Sequence, residues 1–197
     1  MGYDDRSIGG FLDLVASHRV TPAGGTGAAV GGAIGTALCE MVCLHTIGRD
    51  EYADVRDEMT ALRTELETQR EALLTLADRD AAVVDALLDA DGDADRTAAA
   101  KRATGVPLAI GEACLTVLER ATVLTKKGNR NAVPDAVTGA YLVHGALRAS
   151  VFTVRTNTAR LSDSAFAEEM ETRAADIERS AERELDRLLA NAEADRE

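Results

Sequence analysis

Residues 21–27, with the sequence Thr-Pro-Ala-Gly-Gly-Thr-Gly, have the composition of a ligand-binding turn that opens a helix. Gly24 and Gly25 allow backbone torsion angles that other residues avoid, and Thr26 is a residue type that caps a first helical turn. A helix start of this kind favours an anionic or electron-rich group. A tight turn with a structural N-cap is the alternative. A nucleotide is not indicated, because no Gly-Lys-Ser/Thr follows the turn and no strand-like segment precedes it.

Cysteine and histidine are the other residue types that could do chemistry. Cys39 and Cys43 lie four residues apart on one predicted helix face, and Cys114 is in another apolar segment. The histidines are His18, His45 and His144. They show no paired spacing with the cysteines, so we predict no metal site and packed or surface histidines. An odd number of cysteines without a signal peptide predicts a cytoplasmic protein with reduced, buried thiols.

The charge of the chain argues against one class of partner. The sequence has 34 acidic and 22 basic residues, for a formal net charge of −12, and nucleic acid phosphates would be repelled. Its lysines are Lys101, Lys126 and Lys127. An acidic surface poor in lysine is typical of a halophilic protein, because salt screens its self-repulsion. An ordinary acidic protein from a GC-rich genome is the alternative.

Length and composition predict one all-α domain over residues 1–197. Hydrophobic residues make up 46% of the chain and aromatic residues only 3%, so the core must consist mainly of alanine, leucine and valine. Apolar periodicity predicts helices over residues 6–18, 28–48, 50–77, 80–89, 97–127, 134–161 and 164–192. Residues 91–95 are predicted as an acidic loop, and Pro107 predicts a bend in its helix.

Residues 28–47 are apolar enough to raise the question of a membrane span. Glu40 and His45 interrupt the segment, so we predict a bundle of long helices around a glycine-rich, buried central helix, without a membrane. A membrane-associated bundle is the alternative. Long apolar stripes over residues 50–77 and 164–192 leave surface that a few short helices cannot cover, which predicts a helix-packed homodimer.

Several sequence blocks carry a resemblance to a known family. They are the turn at residues 22–26 with Thr-Ile-Gly at 46–48, Asp-Ala at 80–81, Val-Pro at 106–107, Lys-Gly-Asn-Arg-Asn-Ala-Val-Pro-Asp-Ala at 127–136 and Val-Arg-Thr-Asn at 154–157. On these blocks the chain resembles the cyclodeaminase/cyclohydrolase family of folate one-carbon metabolism over residues 11–161. Ala23, Thr26 and Pro134 depart from the family pattern, and the segment after Asp80 lacks an expected aromatic residue and basic stretch.

The resemblance implies a tetrahydrofolate derivative as the substrate, with no permanently bound cofactor. The reaction either adds water to 5,10-methenyltetrahydrofolate, giving 10-formyltetrahydrofolate, or expels ammonia from 5-formiminotetrahydrofolate. The length of the chain leaves no room for a formiminotransferase domain, which favours the cyclohydrolase over the cyclodeaminase. A noncatalytic helical protein that binds folate or serves in assembly is an alternative of another class.

The same resemblance points to the site residues. Asp135 and Asp80 are the acid/base candidates, although an Asp in a first helical turn is also favoured by the helix dipole alone. The substrate-binding candidates are Gly24, Gly25, Thr26, Asn131, Arg155 and Asn157. Asn131 has a helix cap as its alternative role.

Helix geometry separates two of these groups. Asp135 and Asn157 are 22 positions apart on one predicted helix, which at about 1.5 Å per residue places them roughly 33 Å apart. Arg155 and Asn157 are therefore structural, complete the site of a neighbouring subunit, or bind a polyglutamate tail.

Overall fold

The structure, a computed structural model, describes residues 2–194 and is all-α, as predicted. The helices of this described part are α1 (Ile8–Val15), α2 (Gly24–Ile47), α3 (Arg56–Leu88), α4 (Asp93–Lys127), α5 (Val133–Thr158) and α6 (Ser164–Ala194). Two 3₁₀ helices, Asp50–Val55 and Arg130–Ala132, lead into α3 and α5. Apolar residues at helical spacing account for these elements, since each long helix buries one stripe in a shared core.

Each of the long helices from α2 to α6 runs antiparallel to the one before it. Lys127 near the end of α4 is paired with Glu58 near the start of α3, at 2.7 Å. Asn157 near the end of α5 donates from Nδ2 to the carbonyl of Ala103 near the start of α4. The bundle therefore has two ends. We name them the Asp80 end, where α2, α4 and α6 start, and the Asp135 end, where α3 and α5 start.

The backbones of α2 and α5 are in contact at two glycines. A Cβ built on Gly35 would lie 2.5 Å from the carbonyl oxygen of Gly139, and a Cβ on Gly139 would lie 2.6 Å from that of Gly35. These distances leave no space for a side chain. The glycines at these two positions therefore set how closely the two helices approach.

The three cysteines are buried and free, as predicted. Burial raises the pKa of Cys39, Cys43 and Cys114 to about 12 in each case. A thiol with such a pKa stays protonated at neutral pH and is a poor nucleophile or metal ligand. The cysteines thus serve as small apolar side chains of the core.

The glycine-rich helix α2 is part of the core of the bundle, as predicted, but it is not enclosed on every side. The helix packs against α3 and α5, but its remaining side is open, with Ile34 51% exposed and Leu44 47% exposed. Within the described part of the chain, α2 is the one helix long and apolar enough to cross a membrane. A helix that is apolar on every side looks central in a sequence, even when one side is a surface.

Two predicted boundaries also differ from the structure. Residues 50–77 and 80–89 do not form separate segments, because α3 continues without a break through Asp80. The acidic segment at 91–95 is not a loop throughout. Gly92 has a φ of 88° and ends the connection, and α4 starts at Asp93 with two acidic residues in its first turn, where the helix dipole favours them.

Candidate functional site

The carboxyl group of Asp80 lies against the first turn of α2. Thr26 donates from Oγ1 to Asp80 Oδ2 at 2.9 Å, and the backbone of Thr26 provides a further hydrogen bond. Ala23, the N-cap residue of α2, has no side-chain acceptor for the free N–H groups. Asp80 on α3 supplies an acceptor instead, so a residue distant in sequence caps α2. Thr26 is therefore a donor to Asp80 and not the cap that its sequence position predicted.

Gly25 allows Asp80 to come this close. A Cβ at this position would lie 2.2 Å from Asp80 Oδ1. Neither Gly24 nor Gly25 has a positive φ, because Gly92 is the one described residue with that conformation. The expectation of an unusual backbone at these glycines was wrong. Gly25 is needed for the close approach of a carboxylate, whereas Gly24 faces open space.

Burial changes the acidity of Asp80. Asp80 is only 4% exposed. Burial removes water from its carboxyl group and so raises the pKa of Asp80 above the ordinary value of 3.8. The hydrogen bonds from Thr26 oppose the shift, since they stabilise the charged form. A carboxylate with a raised pKa is a stronger base than an exposed one, which is useful for moving protons near neutral pH.

Asp135 lies at the other end of the bundle. It is half-buried in the first turn of α5, one residue after Pro134, which occupies the predicted position at the helix start. A cavity of about 340 Å³ lies beside this turn, between Val133, Val137 and Leu189. Within one chain, the structure does not bring the two candidate carboxylates together.

Asn131 does not cap this helix start. The N-cap residue of α5 is Ala132, and Asn129 caps the 3₁₀ helix that leads into α5, since its side-chain oxygen accepts from the backbone N–H of Asn131 at 3.0 Å. Asn129 is buried and also donates from Nδ2 to the carbonyl of His45, while its own N–H donates to Thr46 Oγ1. The sequence block at 127–136 contained this residue, but the spacing alone did not distinguish it from Asn131.

Arg155 and Asn157 lie at the Asp80 end and make structural contacts. Arg155 donates from Nη2 to Glu178 on α6 at 2.8 Å, and Asn157 bonds the carbonyl of Ala103 on α4. Neither residue lies near Asp135, as the length of the helix required. Among the alternatives stated for these two residues, the contacts favour a structural role.

A polar cavity of about 280 Å³ adjoins the turn before α2 and was missed by the sequence analysis. Its polar lining residues are Tyr3, Arg6, Arg19, Thr21, Asp78 and Asp85. Tyr3 donates its N–H to Asp78, and Thr21, which precedes a cis-proline, donates its hydroxyl to Asp85. The signal in the sequence was the seven-residue spacing of Asp78 and Asp85, which places both on one face of α3.

Comparisons with known proteins agree with this architecture. The family model for formiminotransferase-cyclodeaminase matches residues 7–176. A methenyltetrahydrofolate cyclohydrolase from Methylorubrum extorquens is 36% identical over 177 residues, which cover 84% of this chain and 85% of that protein. A mouse formimidoyltransferase-cyclodeaminase is 27% identical over 98% of this chain, which spans 38% of that longer protein.

A solved structure extends the similarity to the whole fold. Formiminotetrahydrofolate cyclodeaminase from Thermotoga maritima superposes with a TM-score of 0.94 at 27% identity, covering 97% of this chain and 98% of that one. The family match over residues 7–176 includes the starts of α2 and α5 and the part of α3 that carries Asp80. The chain therefore belongs to the formiminotransferase-cyclodeaminase family, as its sequence blocks indicated.

Proposed function

We propose that this folate one-carbon enzyme hydrolyses 5,10-methenyltetrahydrofolate to 10-formyltetrahydrofolate. The similarity to a methenyltetrahydrofolate cyclohydrolase over 85% of that protein's length supports this reaction. One structural observation carries the proposal at the level of residues. Asp80, a carboxylate with a raised pKa, is held by Thr26 at the start of α2, where exposed Gly24 gives open space.

The chemistry needs a base and a proton donor. Asp80 takes a proton from water as the water oxygen bonds to the methenyl carbon, which neutralises the cationic bridge. The bond from this carbon to N5 then breaks as the hydroxyl group of the adduct loses its proton, N5 gains a proton, and the carbon becomes a formyl group on N10. One proton is released overall. N–H groups in the first turn of α2 favour oxygen that develops negative charge.

Cyclodeamination is the second candidate reaction, favoured by the similarity to the Thermotoga maritima cyclodeaminase. There N10 attacks the formimino carbon of 5-formiminotetrahydrofolate, and the departing nitrogen gains two protons, one from N10 and one from solvent. The bond to that nitrogen breaks and ammonia leaves. The same carboxylate can transfer the proton from N10, because both reactions occur at one carbon.

Further properties belong to the proposal. Gly24, Gly25 and Thr26 contact the substrate, and no resident cofactor is required, since carboxylates and backbone N–H groups supply the acid, base and charge stabilisation. The chain acts as one domain and forms a homodimer. It works in the cytoplasm, at high salt, which suits its net charge of −12.

Asparagine variants test the catalytic assignment against a noncatalytic, folate-binding protein. Asp80→Asn keeps an oxygen acceptor for Thr26 but removes the base, so we expect kcat to fall by about 10²- to 10⁴-fold with folding retained. Asp89→Asn, on an exposed position after α3, is the matched control and should retain activity. Asp135→Asn tests the other acid/base candidate in the same way. Its control is Asp57→Asn, which also replaces an aspartate in the first turn of a helix. Unchanged turnover in Asp80→Asn would refute its role as the base.

A further inference from the structure

Two ion pairs connect α3 and α4 near the Asp135 end of the bundle. Glu58 is paired with Lys127 at 2.7 Å, and Glu65 is paired with Arg120 at 2.5 Å. In both pairs the acidic residue is on α3 and the basic residue is on α4. The pairs lie seven residues apart on each helix, which is about two turns, so they fix the antiparallel register of α3 and α4.

Towards the Asp80 end, the contact between these helices carries two basic residues instead of ion pairs. Two more steps of seven residues place Arg79 opposite Val106, and one further turn places Arg102 opposite Val83. All four residues line one cavity of about 410 Å³, which we name the α3–α4 groove. Its other lining residues are Leu76, Ala82, Gly105 and Ala109. Arg79 and Arg102 therefore stand on opposite walls of an otherwise apolar groove.

The two arginines of the groove have no acidic partner. An ion pair within a helix needs an acidic residue three or four positions away. Those positions are Thr75, Leu76, Ala82 and Val83 for Arg79, and Ala98, Ala99, Gly105 and Val106 for Arg102. Asp78 and Asp80, the sequence neighbours of Arg79, accept hydrogen bonds on other sides of α3. Within residues 2–194 neither arginine forms an ion pair, so the groove has two positive charges in a protein of net charge −12.

The α4 wall of the groove is fixed from the side of α5. Pro107 has no backbone N–H, which leaves the carbonyl of Ala103 without its helical donor. Asn157 on α5 donates to this carbonyl from Nδ2 at 2.9 Å. On the groove side, a Cβ built on Gly105 would meet no atom within 4 Å. The groove is thus open and already formed, which lowers the ordering cost of binding a ligand.

We propose that the α3–α4 groove binds a small aromatic carboxylate. The carboxylate lies between the guanidinium groups of Arg79 and Arg102, whose planar donors match its two oxygens. The aromatic ring lies on the apolar walls that Leu76 and Val106 contribute. A cavity of this volume with apolar walls and a few charged groups is typical of a small-molecule site. This site is separate from the buried carboxyl group of Asp80, so the proposal does not depend on the proposed reaction.

Fluorine NMR of 4-fluorobenzoate tests the proposal on the wild-type protein. The fluorine resonance should shift and broaden as protein is added, and its titration gives a dissociation constant. Neutral 4-fluorobenzamide has the same ring but cannot pair with two arginines, so it should bind at least about tenfold more weakly. Equal affinities for the two compounds, or no binding of 4-fluorobenzoate, would overturn the proposal.

Paired arginine variants locate the bound carboxylate. Arg79→Gln combined with Arg102→Gln should weaken binding of 4-fluorobenzoate by about 10- to 100-fold, because hydrogen bonds to charged groups contribute this much. The matched control combines Arg96→Gln with Arg160→Gln, which removes two exposed arginines outside the groove and should leave the affinity unchanged. Equal losses in the two double variants would mean that binding follows the total charge of the protein, and would refute the site.

Filling the groove tests its apolar part. Gly105→Leu places a side chain in open space, and leucine favours a helix more than glycine does, so the variant should fold with a Tm near or above that of the wild type. We expect it to lose binding of 4-fluorobenzoate. Unchanged affinity in the folded variant would contradict the proposal. Analytical ultracentrifugation checks another occupant, because a changed oligomeric state in Gly105→Leu would make the groove a contact between copies and overturn the ligand site.

Discussion

At the scale of single residues, Asp80 combines a structural role with a chemical one. It supplies the acceptor that the start of α2 lacks, because Ala23 has no side chain that could do so. The burial of this contact also raises the pKa of Asp80. A carboxylate used only as a cap would be better exposed and fully charged, so the burial of Asp80 favours a role in moving protons.

Replacing Asp80 should change how stability depends on pH. With a raised pKa, the folded protein binds the proton of Asp80 more tightly than the unfolded chain does, so this residue lowers stability as pH rises from its ordinary pKa of 3.8 through the raised value. Asp80→Asn removes this loss. We therefore expect the Tm of the variant, relative to wild type, to increase over that pH range and then level off.

Thermal unfolding at a series of pH values measures this difference. Asp89→Asn is the control for the loss of one negative charge near the same helix. A difference in Tm between Asp80→Asn and wild type that stays constant from pH 4 to pH 8 would contradict the burial argument.

At the scale of helices and connections, the link between α4 and α5 is fixed to the end of α2. The backbone N–H of Asn129 is buried and donates to Thr46 Oγ1 at 2.8 Å. Thr46→Val should leave this N–H without an acceptor and lower the free energy of unfolding by about 1–3 kcal/mol. Denaturant unfolding measures the change.

Thr36→Val is the matched control for Thr46→Val. Thr36 is equally buried, and its hydroxyl bonds only the carbonyl of Gly32 in the same helix. Its loss leaves no N–H unpaired, so the effect should be much smaller. Equal effects of the two substitutions would argue against a stabilising role of the hydrogen bond between Asn129 and Thr46.

The crossing of α2 and α5 should tolerate no side chain. Gly139→Ala places a methyl carbon 2.6 Å from the carbonyl oxygen of Gly35, so we expect a loss of about 1–3 kcal/mol from the free energy of unfolding. Gly105→Ala is the control, because a Cβ there meets no atom within 4 Å and alanine favours a helix. Stability measurements that rank the two variants in the opposite order would contradict the described crossing.

Periodicity predicted the helices well but did not predict how α2 is placed. The stripes of α3 and α6 each have one apolar side, so the sequence determines which side is buried. In α2 both the core side and the open side are apolar, so no pattern separates them. The Asp80 site could be located only through the family resemblance, since no local rule pairs Thr26 with a residue 54 positions away.

At the scale of the whole molecule, the formal charge of −12 should make stability depend on salt. Raising KCl from 0.1 M to 1 M shortens the Debye length from about 10 Å to about 3 Å and weakens the repulsion between acidic residues. We expect the Tm to rise with salt, and NaCl at the same ionic strength to act alike. A Tm that falls over this range would contradict a protein adapted to high salt.

The central claim is that the folded protein accelerates hydrolysis of the methenyl bridge, and its most direct measurement is the near-UV absorbance of 5,10-methenyltetrahydrofolate in high salt. The protein should make this absorbance decay faster than spontaneous hydrolysis, and Asp80→Asn should restore a rate near the spontaneous one. Decay at the spontaneous rate with folded wild-type protein would contradict the claim. The protein should then be mixed with 5-formiminotetrahydrofolate. A rise of the same near-UV absorbance, together with release of ammonia, would identify the cyclodeaminase.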